Sequence, residues 1–214
     1  LPCIGCGNII DEIEVKIVNP DTNKLCNEGE IGEIWLGGES VTKGYWNKIN
    51  ESEKTFNAHI KNNPEKNYLR TGDAGFIYNG QIFIAGRLKE IIIIHGENYY
   101  PQDIEQYVEK SSDQLRTGCG AAFGIRINEN DDEKLIIVYE LKKRQYTEHE
   151  IKNIKNSINT ILFQTFGFTP FDIVFIQPST FPKTSSGKLQ RNYCKELYLS
   201  NKLHKITITE EVNI

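Results

Sequence analysis

One segment constrains the architecture more than any other. Thr147-Glu148-His149-Glu150 has the form of a capping box, in which a hydroxyl and a carboxylate three residues apart each satisfy the other's exposed backbone N–H at a helix start. Ile151, Ile154, Ile158, Ile161 and Leu162 then recur on one helical face, and Gly167 supplies a stop. Apolar strand-like runs lie on both sides: 121–127 and 135–141 before the helix, 171–176 after it. Earlier, Pro101 opens a helix at its first turn, with Ile104, Tyr107 and Val108 sharing a face. Ile91 to Ile94 is a run of four β-branched residues and reads as a strand buried on both faces. Residues 189–199 read as a last helix, and the tail after Asn201 shows no clear period.

The first part of the chain, to about Gly86, reads as β. Residues 13–18 alternate with period two, as in a half-buried strand. Residues 19–23 are a turn cluster, and 32–38 is a strand bounded by glycines. Residues 76–78 and 82–84 flank Asn79-Gly80, which predicts a hairpin with a type I′ turn. Residues 50–56 read as a short surface helix and 62–67 as a polar loop. The fold class expected is therefore α+β: a β-rich part followed by a mixed one, with no internal repeat. Gly86-Arg87-Leu88-Lys89-Glu90 is a charged, Gly-led boundary that reads as a linker and a hinge.

Composition excludes several classes. In 214 residues, 38% hydrophobic and 25% charged, there is material for a real core. A net charge of −4 gives no overall attraction to nucleic acid or anionic membrane. No apolar run approaches transmembrane length, and the chain does not begin with a signal segment. The five cysteines include one C-x-x-C, Cys3 to Cys6, with no second pair or His at zinc spacing. Reduced thiols of a cytoplasmic protein are preferred over a metal or redox pair, and no metal ligand is assigned. The chain has no Met and opens on Leu1 with an apolar, Gly-rich run, so it reads as part of a longer protein.

Three segments carry candidate chemistry. In Tyr68-Leu69-Arg70-Thr71-Gly72-Asp73 a glycine lets backbone come close to a ligand, and the carboxylate can accept two hydrogen bonds from a vicinal diol such as ribose; read alone, Thr-Gly-Asp is more often a local turn. Arg87 offers a planar fork for a phosphate or a ribose hydroxyl, or else a surface ion pair worth little, and Gly96 is by itself an ordinary loop glycine. In Pro182-Lys183-Thr184-Ser185-Ser186-Gly187-Lys188-Leu189-Gln190-Arg191, Lys188 can reach phosphate and acyl oxygens and offset charge developing between them; either lysine alone also reads as a solvated cation at a helix start. The spacing is not that of a Walker A loop.

Tyr-x-Arg-Thr-Gly-Asp, Gly-Arg-x-Lys-Glu and Pro-Lys-Thr-x-x-Gly-Lys occur in that order. Over about residues 1–199 the chain resembles the C-terminal portion of the adenylate-forming superfamily: acyl-CoA synthetases, peptide-synthetase adenylation domains and luciferases. Residues 96–105, Gly-Glu-Asn-Tyr-Tyr-Pro-Gln-Asp-Ile-Glu, are similar to the Gly-Arg-Asn-His-Tyr-Pro-Gln-Asp-Ile-Glu run of fatty acyl-AMP ligases, with Glu97 and Tyr99 departing from Arg and His.

The resemblance implies a distorted, barrel-like β subdomain over residues 1–86. A small mobile α+β domain would follow over 87–214, with its hinge near 87–90. It implies that Asp73 binds the ribose hydroxyls of ATP and that Arg87 assists at ribose or phosphate. Lys89 would be the hinge residue and Lys188 the catalytic lysine of adenylation. Gly96 would lie in the loop that faces the site during transfer to a thiol. The implied activity is fatty acid plus ATP to acyl-AMP and pyrophosphate, then transfer to the phosphopantetheine thiol of an acyl carrier protein. The implied Mg²⁺ ligand and the family's phosphate loop match nothing in this sequence, so the 214-residue chain alone is expected not to adenylate. An acyl-CoA synthetase with CoA as acceptor, and a non-catalytic binding module, are the alternatives.

Overall fold

In the computed structural model, residues 4–128 and 132–209 are described. Cys3, the first residue of the C-x-x-C, lies outside them. The chain divides into two compact units, the first ending at Glu90 and the second starting at Ile91.

The first unit is a sheet with one short helix. Its strands are β1 (Gly5–Asn8), β2 (Glu14–Val18), β3 (Gly32–Gly37), β4 (Ala58–Ile60), β5 (Asn63–Tyr78) and β6 (Gln81–Arg87), with α1 (Ile49–Phe56) between β3 and β4. The pairing runs β1-β6-β5-β3-β2, with β4 on β5. Among the described residues this path does not close, so the barrel-like form expected is an open sheet. Val18, Trp35, Ile60 and Tyr68 form its small core. The turn between β5 and β6 has φ 50° at Asn79 and 73° at Gly80, the two positive values a type I′ turn demands. The polar loop expected at 62–67 is instead the start of β5, where Ile60 pairs with Asn63 and Ala58 with Tyr68. Its side chains up to Asn67 face solvent, so polarity there reports exposure rather than loop.

β6 ends in a 3₁₀ turn, Leu88–Glu90. The second unit then opens on a hairpin of β7 (Ile92–Ile94) and β8 (Glu97–Tyr99), joined by His95 and Gly96 with φ 52° and 80°. Burial of the isoleucine run on both faces is not borne out. Among the described residues it pairs with β8 alone, and Ile93 points outward, 40% exposed. Next come α2 (Pro101–Lys110), β9 (Leu115–Ile125), β10 (Lys134–Leu141), β11 (Gln145–Thr147), α3 (Glu148–Phe166), β12 (Asp172–Ile176), α4 (Arg191–Leu199) and β13 (Thr207–Thr209). The sheet order is β12-β10-β9, with β10 parallel to β12 and antiparallel to β9.

Strand alternation explains how this unit is layered. Leu135, Ile137, Tyr139 and Leu141 of β10 pack with Ile104 and Val108 of α2 and Ile151, Ile154, Ile158 and Leu162 of α3. Ile136 and Val138 point the other way, toward Phe181, between β12 and α4, and Cys194 of α4. β10 is thus the strand buried on both faces, which its near-continuous apolar run requires. The capping box forms: Thr147 Oγ1 accepts from the Glu150 N–H at 3.2 Å, and Glu150 accepts from the Thr147 N–H at 2.8 Å. α3 ends on left-handed Gly167, φ 80°. The tail without a period holds β13, which pairs in parallel with β11 and was not legible in the sequence.

Candidate active site

In the first unit the candidate site is a bulge. Glu33 pairs with Ala74 and Trp35 with Arg70. On β3 one residue, Ile34, lies between Glu33 and Trp35; on β5 three, Thr71, Gly72 and Asp73, lie between Arg70 and Ala74. The surplus backbone leaves the ladder, and left-handed Gly72, φ 74°, makes this excursion inexpensive. Glu33 sits beneath it, 2% exposed. Its carboxylate accepts from Arg70 Nε at 2.9 Å, Arg70 Nη2 at 2.7 Å and the Gly72 N–H at 3.1 Å. The Thr71 hydroxyl donates to the Ile34 carbonyl at 2.7 Å and accepts from the Asp73 N–H at 3.0 Å. Arg70 therefore braces the motif from within, lying 5.5 Å from the Trp35 ring centroid.

The structure brings Asp73 and Arg87 together. They are cross-strand partners on β5 and β6, and Arg87 Nε lies 3.3 Å from Asp73 Oδ1. The Asp73 side chain is 33% exposed and that of Arg87 70%. A carboxylate with spare lone pairs beside an exposed guanidinium presents both acceptors and donors to solvent. Lys89 is an exposed member of the 3₁₀ turn that ends this unit.

In the second unit, Lys188 sits on a rigid tip. Residues Lys183 and Leu189 bridge as an antiparallel pair. The Thr184 N–H donates to the Lys188 carbonyl, and the Gly187 N–H to the Thr184 carbonyl, both at 2.9 Å, with Gly187 left-handed at φ 82°. The Lys188 N–H also donates to Thr184 Oγ1 at 3.0 Å. The two lysines of the motif differ in role. Lys183 Nζ is engaged, 3.2 Å from Cys119 Sγ on β9. The side chain of Lys188 is exposed and makes no ion pair among the described residues.

Two carboxylates, one buried and one partly buried, hold this tip, and sequence reading missed both. Glu140 of β10, 1% exposed, accepts from the Ser179, Thr180 and Phe181 N–H groups at 2.7, 3.2 and 2.9 Å, and from Arg116 Nη1 at 2.5 Å. Burial alone would raise its pKa; the Ser179 and Phe181 N–H groups and Arg116 outweigh it and hold the carboxyl below its ordinary value. Glu105, the last residue of the run starting at Gly96, takes Arg191 in a two-pronged pair, Nε to Oε1 and Nη2 to Oε2, each 2.7 Å. Its Oε1 also accepts the Ala122 N–H at 3.0 Å. Side-chain exposures of 19% and 12% make this a sheltered, partly buried pair. It ties α2 to the start of α4, and so joins two of the sequence motifs. The available signal was a lone Glu inside an apolar strand, as in Val138-Tyr139-Glu140-Leu141, because a buried carboxylate must find partners.

Gly96 is the second turn residue of the β7–β8 hairpin, a loop apart from that of Lys188. The two departures from the ligase pattern touch: the Tyr99 hydroxyl donates to Glu97 Oε2 at 2.8 Å. Among the described residues no group of three or more His, Cys, Asp or Glu is arranged to hold a metal ion.

A family model described as "Disco-interacting protein 2-like, AMP domain" matches residues 89–208, more than half of the chain. The chain belongs to that Disco-interacting protein 2-like AMP-domain family. A second model, "AMP-binding enzyme", matches residues 2–46. Among curated proteins, the medium-chain-fatty-acid–[acyl-carrier-protein] ligase JamA of Moorena producens is 40% identical over 200 residues, 94% of this chain and 33% of the relative. The chain thus spans about a third of the length of that relative. Among solved structures, the McyG A-PCP complex with phenylalanyl-adenylate is similar at TM-score 0.78 and 30% identity, over 92% of this chain and 34% of that one. A fatty acyl-adenylate ligase structure from work on E. coli and L. pneumophila is similar at TM-score 0.76 and 27% identity, over 93% and 33%. The resemblance to adenylate-forming ligases is met by these matches, and no helix among the described residues is long and apolar enough to cross a membrane.

Proposed function

We propose that this AMP-domain chain works within an ATP-dependent fatty acyl-AMP ligase whose acyl group passes to the phosphopantetheine thiol of an acyl carrier protein. The observation that carries the reading is the Asp73–Arg87 pair, a partly exposed acid and guanidinium 3.3 Å apart on a bulge built for close approach. Lys188, exposed and without an ion pair among the described residues, on a hydrogen-bonded tip in the second unit, supports it. The carrier acceptor is supported by the name of JamA, a ligase for acyl carrier protein. A cytoplasmic setting is supported by the free thiols of Cys6, Cys26, Cys119 and Cys194.

In this reading the Asp73 carboxylate accepts hydrogen bonds from the two ribose hydroxyls, and Arg87 donates to ribose or phosphate. A fatty carboxylate oxygen attacks the α-phosphorus, forming the acyl–phosphate bond while pyrophosphate leaves. The Lys188 ammonium offsets negative charge on the oxygens between acyl and phosphoryl groups. In the second step the thiol sulfur attacks the acyl carbonyl carbon and AMP leaves. One lysine tip cannot block the opening in the first step and admit a long thiol arm in the second. Rotation of the second unit about a hinge at Lys89, leaving Arg87 on β6 beside Asp73, would exchange the Lys188 tip for the Gly96 hairpin. Mg²⁺ is expected to bind elsewhere in such a ligase; when bound it would neutralise phosphate charge.

Lys188→Ala in the full-length protein tests the reading. Acyl-adenylate formation should fall by about 10²–10³-fold, the scale for removing one charge-stabilising group. Thioester formation from pre-made acyl-adenylate should persist. Equal loss of both half-reactions would refute the assignment.

A further inference from the structure

We propose that Glu33 is a positioning residue for nucleotide binding: it sets Asp73 to receive a vicinal diol by fixing the Thr71-Gly72-Asp73 bulge. The inference rests on the reading of Asp73 as the ribose-binding acid. It adds a residue outside the three motifs, on a different strand.

A carboxylate buried to 2% exposure within an apolar strand is expensive unless its lone pairs are filled. Glu33 fills them with partners from a single segment, two N–H groups of Arg70 and the backbone N–H of Gly72. Those partners flank the point where β5 leaves the ladder. Next to the Glu33–Gly72 bond, the Thr71 hydroxyl spans from the Ile34 carbonyl on β3 to the Asp73 N–H. The backbone on the N-terminal side of Asp73 is thus fixed by two consecutive residues of β3, Glu33 and Ile34. On the far side, Ala74 and Gly75 return to pairing with β3, and a side chain at Gly75 would meet the Phe83 carbonyl of β6 at 2.4 Å. The backbone of Asp73 is pinned at both ends, while its carboxylate remains one-third exposed with Arg87 beside it. A purely structural ion pair would not need to reach the N–H of the residue preceding the acid. This one does, so loosening Glu33 should blur where the Asp73 oxygens lie.

The test compares ATP with 2′,3′-dideoxy-ATP, which lacks the diol, in the full-length protein. If Asp73 reads the diol, the native protein should favour ATP by at least about tenfold in KM, the scale of hydrogen bonds to a charged group. Glu33→Gln should then raise KM for ATP about tenfold while changing KM for the dideoxy nucleotide less than about twofold. Thr71→Val should show the same selectivity, and it decides the matter if Glu33→Gln does not fold. Equal penalties for the two nucleotides would make Glu33 merely structural and overturn the inference, as would no penalty for ATP. Failure of the native protein to distinguish the nucleotides would overturn the ribose reading itself, and the inference with it.

Discussion

Glu140→Gln probes how the fold holds the tip that carries Lys188. The substitution keeps the shape of the side chain and exchanges one accepting oxygen for a donating NH₂. Four donors converge on the native carboxylate, three of them consecutive backbone N–H groups at 179–181. At least one of those N–H groups then faces another donor at a 1%-exposed site. Losing one hydrogen bond to a charged acceptor costs about 1.5–3 kcal/mol. Stranding partners of a buried charge raises this toward about 3–5 kcal/mol. Arg116 is 47% exposed and can rehydrate, which places the expectation near the lower end, about 3 kcal/mol. With a urea slope of about 2 kcal/mol/M, the unfolding midpoint of the second unit should fall by about 1.5 M.

The pH dependence follows from the depressed carboxyl. Its pKa is ordinary in the unfolded chain and lower in the folded one. The contribution is therefore complete above the ordinary carboxylate range and is lost as pH falls through the folded-state value. The gap between native and Glu140→Gln should be full at neutral pH and close in acid. Urea unfolding followed by hydrogen exchange, read on amides of 135–141 and 179–181, supplies the measurement. Midpoints at neutral pH that agree within about 0.3 M, on the slope used above, would refute the role given to Glu140. A gap that stays constant into acid would refute the charge argument.

Two more outcomes can be checked in the same chain. Gly96→Ala places a side chain at φ 80° in the His95–Gly96 turn; it should destabilise the hairpin by about 1–2 kcal/mol, read as faster amide exchange at 92–99. Cys194, whose thiol is pushed up to about 12 by burial and then by Glu105, should resist alkylation at about pH 8 far longer than exposed Cys6. Peptide mass spectrometry of the labelled chain decides this, and equal labelling would contradict the packing of α4.

Local chemistry fixed much of this protein without help from the fold. The capping box and Gly167 set both ends of α3, Pro101 opened α2, and Asn79-Gly80 turned β5 into β6. Each of these is decided within a few residues, by hydrogen bonds and φ preferences that any context would share. Only the tertiary structure decided what pairs across long separations. It put Arg87 beside Asp73, set Glu33 under the Thr71-Gly72-Asp73 bulge, and tied Glu105 to Arg191 across 86 positions. It also turned the isoleucine run outward on one face and gave the doubly buried place to β10. A strand's burial depends on what lies above and below it, and a carboxylate's value depends on which donors meet it. Neither is encoded in the strand or the carboxylate alone, so the motifs named the participants and the sheet registers arranged them.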